Sequence, residues 1–82
     1  MPKGSIRHSL KALQDIDHLV AQRIKEIRKA KGITQDHLAE LAGLNRTHLY
    51  RLEGARQSMT LRRLKIIADA LDVKVRDLVK DL

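Results

Sequence analysis

The sequence predicts an all-α fold of five helices, compact, with a short N-terminal extension over residues 1–16 and one domain over residues 17–82. Three observations predict it. Apolar residues recur every three or four positions, and no window alternates with period two as a half-buried strand would. The glycines at 32, 43 and 54 fall eleven residues apart, each closing a helical pattern. The apolar residues are Leu, Ile, Val and Ala with no Phe or Trp, which suits helix-on-helix packing. A chain of 82 residues buries roughly 60–65% of its unfolded surface, enough for a single core.

The elements follow in order. In the extension, Ile6, Leu10 and Leu13 share a helical face, and Asp15 and Asp17 read as breaks, so a short separate helix is expected there. "DHLVAQRIKEIRKAKG" sets Val20, Ile24 and Ile27 on one stripe, starts at a capping Asp17, and gathers Lys29 and Lys31 before Gly32. "ITQDHLAELAG" has Thr34 as N-cap, Leu38, Ala39 and Ala42 on one face, and Gly43 as its stop. Asn45 caps the next helix, which turns Leu49 and Leu52 inward before Gly54. "TLRRLKIIADALDV" is capped by Thr60 and carries Leu61, Leu64, Ile67, Ala68 and Leu71 at helical spacing. "VRDLVKDL" is a short fifth helix.

Composition removes several functional classes. There is no cysteine, hence no disulfide or thiolate metal site. No apolar run approaches the ~20 residues of a membrane span, and the N-terminus lacks a signal-peptide h-region. His8, His18 and His37 offer no metal-ligand spacing, and no nucleophile triad or carboxylate pair stands out. The expectation is a cytoplasmic protein that is not an enzyme and carries neither cofactor nor metal.

Charge points to a partner. The net charge is +7, distributed as +5 over residues 1–34, −2 over 35–45, +5 over 46–65 and −1 over 66–82. Two basic blocks around an acidic one suit a face that meets a polyanion. Between them, two short helices are joined by "AGLN", a tight turn that lets the second helix project from the body. At about 100° per residue, Asn45, Leu49, Leu52 and Glu53 cluster on one side of that helix. Thr47, Tyr50, Arg51 and Gly54 lie on the other, with Arg46 beside them. Arginine reads guanine through O6 and N7, and threonine can bond a base or pack on a thymine methyl. A helix-turn-helix over residues 35–54, with 46–53 in the major groove of double-stranded DNA, is the arrangement these features imply.

"IRKAKGITQDHLAELAGLNRTHLYRLE" followed by "LRRLKIIADALDV" resembles the Cro and phage-repressor (XRE) family of transcriptional regulators over about Leu19 to Val79. Within it, "LNRTHLYRLE" and "SMTLRRLKIIADALDV" are most similar to restriction–modification controller proteins, and the resemblance implies a bacterial, phage- or plasmid-encoded protein associated with the nucleoid. The resemblance implies that Gln35 holds a DNA phosphate and supports the recognition helix, and that Arg46, Thr47, Tyr50 and Arg51 read bases and backbone. It implies that Arg28 and Glu53 form an internal ion pair, and that Arg56 and Ser58 lie where the following loop meets phosphate. The family usually reads Glu-Asn-Gly after this helix, whereas this chain has Glu53-Gly54-Ala55. Alanine is a poor αL residue, so the loop is expected to turn at Gly54.

One such domain covers only about 600–1,000 Å² of DNA. A homodimer on a pseudo-palindrome doubles the contacts and sets the recognition helices about 34 Å apart. Ile66 beside the core stripe of the fourth helix, with Val75, Val79 and Leu82, which exceed what a short last helix needs, form the candidate interface, and the Ile6, Leu10 and Leu13 face is a second. Without a ligand-binding domain, no small-molecule effector is expected. Two other classes share this pattern: an antitoxin that both binds DNA and masks a toxin encoded nearby, and a protein-interaction module without specific DNA binding.

Overall fold

The computed structural model describes the backbone from residue 2 to Leu82 and the side chains from Ile16 onward. Five helices follow one another: α1 (Pro2–Ala30), α2 (Gln35–Ala42), α3 (Arg46–Glu53), α4 (Leu61–Ala70) and α5 (Val75–Val79). The described residues include no strand.

The N-terminal region differs from expectation. Rather than a short helix broken at Asp15 and Asp17, α1 runs unbroken for 29 residues. No glycine or proline lies between Gly4 and Gly32, and an aspartate inside a helix costs only about 0.7 kcal/mol in propensity. Two isolated aspartates are therefore too weak to stop a helix whose apolar spacing continues through them. The side chains of Ile6, Leu10 and Leu13 lie outside the described residues.

Of the four expected N-caps, Thr34, Asn45 and Thr60 are in place, while Asp17 lies inside the continuous α1 and caps nothing. The Thr34 hydroxyl accepts from the His37 amide at 3.1 Å, Asn45 Oδ1 from the Thr47 amide at 2.8 Å, and the Thr60 hydroxyl from the Arg63 amide at 3.1 Å. Each satisfies an amide of the first turn that has no partner within its helix. Before α5 the chain uses a different device, with the Lys74 amide donating to Asp77 Oδ2 at 2.9 Å.

Between these caps the core closes on Val20 and Ile24 of α1, Leu38 and Ala39 of α2, Leu49 and Leu52 of α3, Leu64, Ile67 and Ala68 of α4, with Leu71 and Leu78. α1 packs on α3 and α5, α2 on α3 and α4, and α4 on α5. Leu61 corrects another expectation: it is 83% exposed. As the first residue of α4 it sits one turn outside Leu64, where the stripe overruns the core. Leu78, fully buried, is the side chain that docks α5.

Candidate nucleic-acid interface

α3 is held from behind. Its inward residues Leu49, Leu52 and Glu53 are buried, and Glu53 is a carboxylate only 3% exposed. Arg28, at the end of α1, meets it with one edge of its guanidinium: Nε donates to Oε2 at 2.8 Å and Nη2 to Oε1 at 3.1 Å. The remaining amino group of Arg28, Nη1, donates to the Ile33 carbonyl at 2.8 Å. Gln35, opening α2, adds Nε2 to Glu53 Oε1 at 3.0 Å. Donors from α1 and α2 thus converge on one carboxylate of α3, and among the described side chains no buried polar atom lacks a partner. The planar guanidinium suits this two-point contact in a way a lysine could not.

The opposite side of α3 faces solvent. Arg46, Thr47, Tyr50 and Arg51 are all exposed, and Tyr50, the chain's one aromatic residue, is exposed over 66% of its surface. Gln35 and Tyr50 form a shared wall between two clefts. On one side, Lys25, Arg28, Lys29, Glu53, Gly54 and Arg56 complete a cleft of about 610 Å³. On the other, Asp36, Arg46 and Thr47 complete a smaller one of about 300 Å³. Arg28 is committed to Glu53 and Ile33, so the larger cleft presents Lys25, Lys29 and Arg56 as its outward cations. Sequence reasoning missed Lys25 and Lys29 as site residues. Their i, i+4 spacing on the helix that bears Arg28 was the available signal, but only the packing of α1 on α3 brings them beside Tyr50.

The loop after α3 corrects the expected turn. Gly54 stays near the helical region at φ −87°, and Ala55 takes the left-handed conformation at φ 56°. The hydrogen bonds explain why. The Arg56 amide reaches the Arg51 carbonyl at 2.9 Å and the Ala55 amide reaches Leu52 at 3.1 Å, the paired bonds of a Schellman termination. Those bonds require the left-handed residue one position beyond Gly54. The turn leaves Arg56 and Ser58 exposed beside the end of α3.

His48 flanks α3 and is half-buried, with Arg63 of α4 hydrogen-bonded to its ring and Gln57 Nε2 at 3.5 Å from Nε2. Partial burial, then Arg63, then Arg51 hold its pKa below the ordinary imidazole value. Of the candidate interface residues, Ile66 and Val75 are half-buried, Val75 packing against the core, while Val79 and Leu82 are exposed. Among the described residues, no cluster of His, Asp or Glu could hold a metal ion, and no helix is long and apolar enough to cross a membrane.

Comparison with known proteins gives this geometry its context. Residues 24–78 match the family profile HTH_3, described as helix-turn-helix. The chain is 34% identical over 65 residues to the control protein C.SmaI of Serratia marcescens, covering 79% of this chain and 77% of that protein. It is 43% identical over 60 residues to the immunity repressor of Bacillus phage phi105, covering 73% of this chain but 42% of the repressor. In three dimensions it is similar to the restriction–modification controller C.AhdI from Aeromonas hydrophila, with a TM-score of 0.73 and 35% identity over 76% of this chain and 94% of that one. It is also similar to SinR, a master regulator for biofilm formation solved in complex with DNA, with a TM-score of 0.70 and 35% identity, covering 74% of this chain and 98% of that one.

Proposed function

The chain belongs to the helix-turn-helix family HTH_3, a family of DNA-binding transcriptional regulators, and from that premise we propose that it binds a pseudo-palindromic operator as a homodimer, with α3 in the major groove. One observation carries the reading. Arg46, Thr47, Tyr50 and Arg51 stand exposed on one side of a helix whose other side is buried and pinned by Glu53. A recognition helix needs this division, because a base contact is selective only when the backbone behind it is fixed.

The roles divide by position. Arg46 and Arg51 read guanine edges, Thr47 packs at a base, and Tyr50 lies between base and backbone. Gln35, Arg56 and Ser58, with Lys25 and Lys29 from α1, take phosphates on the strands that border the groove. These contacts set register and contribute affinity without reading sequence. Two copies are needed for a specific complex, since one domain of this kind covers too little DNA. Val79 and Leu82, together with the half-buried Ile66 and Val75, supply the apolar surface that joins them. Residues 17–82 form the binding unit, with residues 1–16 as its extension.

The test is selection of bound duplexes from a random pool at about 150 mM salt, run for the parent protein and for an Arg46→Ala, Arg51→Ala variant. An enriched inverted repeat that weakens or changes in the variant supports the reading. A parent protein that enriches nothing contradicts it.

A further inference from the structure

Asp36 stands in the first turn of α2 and touches the first residue of α3. Arg46 Nη1 donates to Asp36 Oδ2 at 3.2 Å, with the side chains 73% and 64% exposed. Among the described residues it is the only ion pair between α2 and α3. As a stabilising contact so exposed a pair contributes little. Its placement has a different consequence. A carboxylate at the mouth of a DNA-binding face repels every phosphate alike, so it weakens binding to all sequences.

We infer that Asp36 is a positioning residue for Arg46, one that raises sequence discrimination at the expense of general affinity. The inference rests on the reading of α3 as the base-reading helix. Arginine carries five donors in a rigid plane on a stem with much rotamer freedom. Asp36 engages Nη1 alone, which leaves the edge formed by Nε and Nη2 free for the O6 and N7 of a guanine. The same carboxylate disfavours a swing of Arg46 toward the phosphates, where it would bind without reading. The cleft these two residues line with Gln35, Thr47 and Tyr50, about 300 Å³, gives a base edge room beside the guanidinium. Gln35 turns its Nε2 to Glu53, and Arg46 bonds Asp36.

The test compares dissociation constants on the enriched duplex from the random pool and on a scrambled duplex of equal length. Asp36→Ala and Asp36→Glu are measured in the parent and in the Arg46→Ala background. Both positions are exposed, so the variants remain folded. In the parent, D36A strengthens binding to the scrambled duplex and lowers the ratio between duplexes about fivefold, within the roughly five- to 150-fold that one good base contact provides. D36E restores most of that ratio. In the Arg46→Ala background, D36A shifts both duplexes equally and the ratio stays put. Two results overturn the inference: an equal shift on both duplexes in the parent, or a loss of ratio that persists without Arg46. A parent protein that does not distinguish the duplexes overturns the underlying reading of α3 instead, and the inference falls with it.

Discussion

Two arginine–carboxylate pairs lie on opposite sides of α3, and they teach different things. Arg28 and Glu53 meet at 2.8 Å with side chains 9% and 1% exposed, whereas Arg46 and Asp36 meet at 3.2 Å in open solvent. The chemistry is the same and the separation differs by a few tenths of an ångström. Burial decides the outcome. In the core, the pair must stay whole because neither charge has water to fall back on. At the surface water competes for both partners, so the pair adds little stability and its geometry is free to serve recognition. The inner pair fixes where α3 lies, and on the proposed function the outer pair bears on what it reads.

The sharpest way to break this contrast is to cut each pair in turn. Glu53→Gln leaves the Arg28 guanidinium buried without its counter-charge and should cost about 3–5 kcal/mol in urea unfolding. Asp36→Ala should change stability by less than about 1 kcal/mol. If the two variants unfold alike, burial is not the deciding variable. Replacing Arg28 and Glu53 together by Met and Leu should recover most of the loss, since desolvating the ions is what makes a broken pair costly.

A second comparison separates phosphate contacts from base contacts. Lys25→Ala and Lys29→Ala should weaken binding to all duplexes by similar factors, and each should lower the salt slope of the dimer by about two, one per subunit. The enriched sequence should not change. A variant that alters sequence preference would place these lysines at the bases and undo the division of labour.

The helix ends extend the contrast to the backbone. Gly43 and Ala55 close α2 and α3 with the same left-handed residue, at φ 65° and φ 56°, but only one is glycine. A left-handed alanine costs about 1–2 kcal/mol relative to glycine. Ala55→Gly should therefore raise the thermal midpoint, and Gly43→Ala should lower it by a similar free energy, although nothing within 4 Å would crowd the added Cβ. Scanning calorimetry of the two variants checks both signs.

The smallest effect concerns His48. Its pKa is held down in the fold by partial burial, Arg63 and Arg51, so the unfolded chain binds its proton more readily. Stability from this site is whole above the ordinary imidazole range and declines as pH falls through it, levelling off below the folded-state pKa. His48→Gln should flatten that part of the stability–pH curve in denaturant titrations.

Much of this architecture was legible in the sequence because it is local. Thr34, Asn45 and Thr60 announce their helices within three residues, and 100° steps from Asn45 separate Leu49 and Leu52 from Tyr50 and Arg51. What escaped depends on distance or on a balance of small terms. The continuity of α1 hung on two aspartates weaker than the propensity around them. Leu61 follows the apolar stripe but lies past the edge of its neighbour. The turn at Ala55 follows from which carbonyls the 55 and 56 amides reach, a matter of register that residue identity alone misjudged. Asp36 with Arg46, and Lys25 with Lys29 beside Tyr50, become neighbours only once α1, α2 and α3 are packed.

Whether two copies of α3 read guanines in the major groove is tested most directly by methylation interference on the enriched duplex. A methyl group at guanine N7 occupies the acceptor that Arg46 or Arg51 would use. Interference is expected at guanines in both half-sites, about one helical turn apart, and should be lost at the matching guanine in the arginine variants. Tight binding that ignores N7 methylation throughout would contradict guanine reading by α3.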